Sequence, residues 1–278
     1  FNDLLLFFIS IILFYILKIK TNSSKISFFA TLLYVLLMSI TWGTLEYSEL
    51  YALLFISLSY LFFEKDQESN RTLIISSLCL SFSTLVNQGT ALFLMPFLVY
   101  LLLQKNNKRI LLQKLLIFGV SFISLHLLFV LIYFSRNIFD IYFATFVTIP
   151  LGYTEATFNF FAESLVFLRS YLEHNIFLYV SIILYITLVF IIWIKGIFSV
   201  NKFLRYDSLN TLFLISSLLF YFLGSHGFTH HLLFFVFFFP IAIGQINVRN
   251  IRNLIYLSIF IATASLFTTS FQSSSYNL

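Results

Sequence analysis

Ten apolar runs set the terms for this chain: 3–19, 26–44, 46–63, 72–86, 90–103, 110–134, 174–194, 208–224, 230–246 and 252–270. A helix crosses the hydrocarbon of a bilayer with ~20 residues, and shorter ones cross where lipid thins or flanking Lys snorkels. Each break is made by charge, Asn, Gly or Pro, and no soluble domain or linker stands between the runs. Apolar residues make up 60% of the chain and charged residues 10%, against roughly 45–50% and about 25% in a soluble domain. One water-facing globule cannot hide that many apolar side chains, so lipid is the natural solvent. The expected fold is all-α: a polytopic transmembrane helical bundle of about ten spans, a single domain over 1–278. The wealth of Phe, Ile, Leu, Ser and Asn reads as genomic bias. The single cysteine, Cys79, excludes a disulfide framework and a Cys-based zinc site. The first run follows Asp3 and has no basic lead-in, which makes it a span and not a signal peptide.

Charge decides whether 72–103 is one helix or two. Lys and Arg collect in cytoplasmic loops. With ten spans, one side receives Lys18, Lys20, Lys25, Lys65, Arg71, Lys105, Lys108, Arg109, Lys114, Lys195, Lys202, Arg205, Arg249 and Arg252, fourteen of the sixteen basic residues; the other keeps Arg136 and Arg169. Merging 72–103 flips every later loop and erases the bias. Two short spans turning at Asn87-Gln88-Gly89 are therefore expected, with both chain ends outside. The basic pI of 9.2 is then a matter of topology, and no nucleic-acid partner is needed to explain it. The outer face gathers Asp3, Glu46, Glu49, Asp140, Glu155, Glu163 and Glu173, together with His174, His226, His230 and His231. In the long outer segment 135–173, Phe158, Phe161, Ala162, Leu165, Leu168 and Leu172 keep helical spacing opposite Glu155, Asn159, Glu163 and Ser170. That is the pattern of an interfacial amphipathic helix, with a turn before it at Ile149-Pro150-Leu151-Gly152.

The spans lack central charges, which argues against an ion-coupled carrier. His126 is the one ionisable group at mid-span, and a neutral imidazole bonded to a neighbouring Ser, Thr or carbonyl accounts for it. Glu46 and Glu49 are three apart at a helix start and share a face. The helix dipole alone favours carboxylates there; the functional alternative is a carboxylate that ligates a divalent cation or positions an acceptor. Gly224 to His231 puts three imidazoles at the mouth of a span. His226 and His230 have the i, i+4 spacing of a zinc pair but no clear third ligand; recognition of a lipid phosphate and plain interfacial placement are the other readings. Arg136 can pair with a phosphate or a nearby Glu, and Arg169 with Glu173 at i+4.

Three stretches resemble the GT-C superfamily of membrane glycosyltransferases, the relatives of protein O-mannosyltransferases and lipid A aminoarabinose transferases. Leu45 to Leu54, with Glu46 and Glu49, is similar to the acidic start of a family span. Leu73 to Tyr100, closing on Thr90-Ala91-Leu92-Phe93-Leu94-Met95-Pro96, resembles the family's paired short spans. His226-Gly227-Phe228-Thr229-His230-His231 resembles a pattern of Arg-Pro-aromatic-x-His-Tyr that enters a late span, with His226 in place of Arg and His231 in place of Tyr. The resemblance implies transfer of a hexosyl or pentosyl group from a polyprenyl-phosphate donor to a glycan, lipid or protein acceptor, on the periplasmic face of a bacterial inner membrane. It implies donor-phosphate contacts from His226, His230, His231 and Arg136, an acidic role for Glu46 or Glu49, and a divalent cation (Mg or Mn) as possible company for that acid. The family's Asp-bearing first outer loop has no counterpart here, and the expectation is a chain lacking one span and that loop upstream of Phe1. Competing readings are a cell-envelope polysaccharide polymerase or ligase, which would want more outer Arg, and a lipid-linked-sugar flippase or transporter, which would want polar spans.

Overall fold

The computed structural model describes residues 2–40, 48–104, 107–148, 208–224 and 232–246. Every element among them is helical: α1 (Asn2–Thr21), α2 (Ser24–Ile40), α3 (Ser48–Lys65), α4 (Asn70–Val86), a 3-10 turn (Gln88–Phe93), α5 (Leu94–Leu103), α6 (Lys108–Ser135), the short α7 (Phe139–Phe143) running into a π turn (Ala144–Thr148), α8 (Ser208–Gly224) and α9 (Leu233–Ile246). The expected spans 174–194 and 252–270, the interfacial helix around Phe158–Leu172 and the turn at Ile149–Gly152 lie outside the described residues.

Caps, not hydropathy, set the helix ends. α6 starts two residues before its apolar run because the Asn107 side chain accepts the Arg109 N–H at 3.1 Å, an N-cap bond that satisfies an orphan donor. α1 carries on through Lys18 and Lys20 because Asn22, at φ 53°, supplies the left-handed residue that ends it, its N–H bonding the Lys18 carbonyl at 3.0 Å. The starts of α2, α4 and α6 and the ends of α1 and α3 lie two residues outside the apolar runs, while α8 matches its run from Ser208 to Gly224.

Contacts at one end fix the directions. Lys20, closing α1, pairs with Glu64 near the end of α3 at 2.7 Å and lies over the Tyr60 ring. Lys114, early in α6, is buried and pairs with Glu68 in the α3–α4 turn at 2.6 Å. Gln104, following α5, donates to Gln67 at 2.6 Å. All of these groups share one lysine-rich end. The last contact settles the 72–103 question: a continuous helix from Asn70 would carry Gln104 about 50 Å from that turn, yet the two glutamines touch. α4 and α5 are antiparallel, and the chain reverses at Asn87.

α8 and α9 fill the space beside this hairpin. Phe93 of the 3-10 turn meets Phe213, Phe220, Phe234 and Phe238 at ring separations of 5.7, 6.2, 5.1 and 6.2 Å. Tyr34 of α2 meets Phe237 edge-on at 5.8 Å. At the lysine end Gly244 lies against Leu17, Ala30 and Ile26, so close that a Cβ there would approach Leu17 to 2.8 Å.

Between α3, α4 and α6 the interior is polar. Ser59 and Ser76 bond across α3 and α4 at 3.1 Å, Ser77 donates to the Phe118 carbonyl, and Ser81 donates to the Phe122 carbonyl at 2.8 Å. All four serines are buried. Small hydroxyl residues let helices approach closely, and the Ser76, Ser77 and Ser81 hydroxyls each donate to a carbonyl of a neighbouring helix. The outer surface inverts this: Val120 of α6 is 64% exposed, and Leu116, Ile123, Leu127 and Leu131 are exposed with it. α1 and α6 are each long and apolar enough to cross a membrane.

Candidate functional site at the Asn87 turn

The most organised polar cluster among the described residues lies at the end opposite the lysines. Glu49 stands in the first turn of α3, where the helix N-terminus favours a carboxylate, and is only 6% exposed. The Ser48 hydroxyl reaches its Oε2 at 3.3 Å, and Asn87 Nδ2 donates to its Oε1 at 3.0 Å. Asn87 Nδ2 also lies 3.4 Å from the Ser48 hydroxyl.

Asn87 has its amide orientation dictated from the other side. Its Oδ1 accepts the Gly89 N–H at 3.1 Å as the cap of the 3-10 turn. Only the oxygen of an amide can accept, so Nδ2 must face Glu49. The Asn87 carbonyl takes both the N–H and the hydroxyl of Thr90, at 3.0 and 2.7 Å. Ser83, one turn back on α4, donates to the Ala52 carbonyl at 3.1 Å and lies 3.0 Å from Thr90 Oγ1. One asparagine thus ties the α4–α5 reversal to the start of α3. Gly89 closes the turn onto α8: a Cβ at this position would fall 2.7 Å from the Phe220 ring. The result is a buried carboxylate held by two donors at the mouth of the bundle, suited to accepting hydrogen bonds from hydroxyl groups.

A second cluster begins at Thr84, the residue after Ser83 on α4. Thr84 Oγ1 donates to the Ser81 carbonyl at 2.7 Å and lies 2.8 Å from His126 Nε2. Since the hydroxyl proton is spent on Ser81, Nε2 must carry the proton and donate to Thr84. The lone pair is left on Nδ1, 3.5 Å from the Tyr142 hydroxyl. His126 is thus the bonded imidazole expected from the sequence.

The chain matches no family model, no curated protein and no solved structure.

Of the site residues expected from sequence, Glu49 and Arg136 are described. Glu49 is placed as above. Arg136 is the exposed C-cap of α6, its N–H bonding the Ile132 carbonyl at 3.2 Å, where a cation complements the helix dipole; its guanidinium makes no ion pair with a described residue. Glu46, His226, His230, His231, Arg169 and Glu173 lie outside the described residues. The helices flanking the His segment do reach this end, through Phe220 against Gly89 and Phe234 against Phe93. Among the described residues no group of three His, Cys, Asp or Glu comes together to hold a metal.

The sequence marks Asn87 as a turn residue and leaves its contact with Glu49, and the place of Tyr142, unassigned. Asn87 was legible as the cap of a Gly-containing reversal, and Phe139, Tyr142, Phe143 and Phe146 repeat at helical spacing. Asn87→Ala is expected to destabilise the protein by about 1–3 kcal/mol, the cost of stranding a buried partner. Asn87→Asp sets two carboxylates against each other, and its penalty should shrink as the pH falls into the carboxylate range and one of them protonates. Thermal unfolding in lipid nanodiscs from pH 4 to 8 measures both; an Asn87→Asp protein as stable as wild type at pH 8 would contradict the assigned contact.

Proposed function

We propose that the chain is a polytopic membrane protein of about ten spans that transfers a hexosyl or pentosyl group from a polyprenyl-phosphate donor to a glycan, lipid or protein acceptor, working at the Asn87 end on the non-cytoplasmic side of a bacterial plasma membrane. The observation that supports this best is the buried Glu49 carboxylate, held by Asn87 at the bundle mouth and opposite the lysine-rich end. Cations collect on the cytoplasmic side of membrane proteins, which supports an outer position for Glu49, where lipid-linked sugars are consumed. The resemblance of Leu45–Leu54, Leu73–Tyr100 and His226–His231 to GT-C glycosyltransferases supplies the reaction class.

In this reading Glu49, with Glu46, accepts a hydrogen bond from the acceptor hydroxyl and orients its oxygen toward the anomeric carbon. The hydroxyl proton passes to a carboxylate base, a carbon–oxygen bond forms, and the bond to phosphate breaks with its electrons leaving on the phosphate. His226, His230, His231 and Arg136 are the groups that would stabilise that departing charge. A Mg or Mn ion would add to this stabilisation. Glu49 as it stands gives both carboxylate oxygens to Ser48 and Asn87, so a cation there would have to share it with them.

The test is turnover of a labelled polyprenyl-phosphate sugar by the full-length protein in nanodiscs. Glu49→Gln and His230→Ala are each expected to lower kcat/KM by about a hundredfold or more, the usual range for lost proton-handling or charge-stabilising groups. Wild-type turnover in both variants would remove these residues from the mechanism.

A further inference from the structure

Beyond Arg136 the chain doubles back. Asn137 adopts φ 56°, a left-handed position that Asn tolerates, and the Ile138 N–H bonds the Tyr133 carbonyl at 3.0 Å. α7 and the π turn then run back along α6, because their rings reach His126. That residue is nine positions before Ser135, and so about 14 Å down the helix. The Phe146 and His126 ring centroids are 6.1 Å apart; Tyr142 stacks on Phe146 at 4.5 Å and meets Tyr133 at 5.6 Å.

This return segment is lightly held. No residue of α7 is buried. Its one side-chain hydrogen bond to the bundle among the described residues is Tyr142 to His126 at 3.5 Å, long for an O–H···N bond. Five residues of π turn follow, a geometry rare outside functional segments. Few buried contacts and exposed backbone mark a unit that opens well below the global unfolding free energy. The docking point itself is firm, since His126 Nε2 is anchored to Thr84 of α4. Thr84 precedes by three residues the Asn87 that holds Glu49.

We propose that residues 138–148 form a strap that opens and closes over the groove between α4 and α6, with His126 as its latch and Thr84 as the link to the Asn87 turn. Closed, the strap lies against the His126 imidazole, whose other nitrogen is bonded to Thr84 in the last turn of α4. Open, it uncovers a lateral entrance to that turn from the α6 side. This does not depend on the glycosyl-transfer reading, and its test needs no substrate.

The experiment is hydrogen–deuterium exchange of the full chain in nanodiscs, comparing a peptide that covers 139–148 with peptides from α4 and from the middle of α6. In the wild type, 139–148 is expected to exchange much faster than mid-α6, yet slower than an unprotected peptide. Tyr142→Phe keeps the ring and removes the hydroxyl; Phe146→Ala removes the stack. Each should raise exchange in 139–148 by about an order of magnitude while α4 and α6 stay protected, which also shows that the variants fold. Wild-type exchange as slow as mid-α6, or exchange indifferent to both substitutions, overturns the proposal.

Discussion

Val120→Arg is expected to cost about 2.5–3.5 kcal/mol of apparent insertion free energy, the value for an arginine at the centre of a membrane helix. Val120 lies near the middle of α6 and is 64% exposed, among other exposed aliphatic side chains. In a water-soluble protein an arginine at so open a position stays within about 0.5 kcal/mol of neutral. The two solvents therefore predict opposite outcomes for one substitution. The check is the fraction of protein that resists alkaline extraction from membranes, with the yield of monodisperse protein in detergent beside it. Leu112→Arg is the control. It is equally exposed but one turn from Lys108, and there the guanidinium can snorkel to the headgroups at little cost. A Val120→Arg protein that integrates as well as Leu112→Arg would mean that α6 does not face lipid.

Phe93→Ala should be the most damaging single truncation among the described residues. The ring is fully buried in the 3-10 turn and packs against four phenylalanines of α8 and α9. A Phe-to-Ala cavity costs roughly 3–5 kcal/mol where the surroundings cannot collapse, and the neighbours here are rigid rings on separate helices. That corresponds to a Tm lower by roughly 10 °C in nanodiscs. Phe7→Ala, on the exposed face of α1, removes the same ring and should shift Tm little. Equal shifts for the two would mean that Phe93 is not the keystone these ring contacts describe.

The helix pattern was legible because apolar runs and charge breaks are local signals. The Asn87 reversal was legible for a less local reason: only a turn there sorted the lysines, and Gln104 against Gln67 bears it out. What stayed hidden was pairing across helices. Ser76, Ser77, Ser81, Ser83 and Thr84 can be read as a hydroxyl-rich face of one helix, but nothing in their spacing names Ser59, Phe118, Phe122, Ala52 and His126 as partners. Glu49 was visible as a first-turn carboxylate, whereas its hold on Asn87 joins residues thirty-eight apart in the chain. The returning segment after α6 was missed because a single helical turn of aromatics resembles any other aromatic stretch until a neighbouring imidazole gives it a place to rest.

Under the proposed ten-span arrangement, the reversal at Asn87 also bears on the shape of the surrounding bilayer. α4 has 17 residues and so rises only about 25 Å, short of a hydrocarbon layer of about 30 Å. The 3-10 turn and α5 that follow are hardly longer. In that arrangement a matched pair of short helices side by side would be met by thinning the bilayer locally instead of tilting either one. The Asn87 end would then sit at the floor of a dimple several ångströms deep, with headgroups and water drawn down toward the Glu49 carboxylate. An amphiphile diffusing in the outer leaflet would meet that carboxylate without lifting its chains out of the oil.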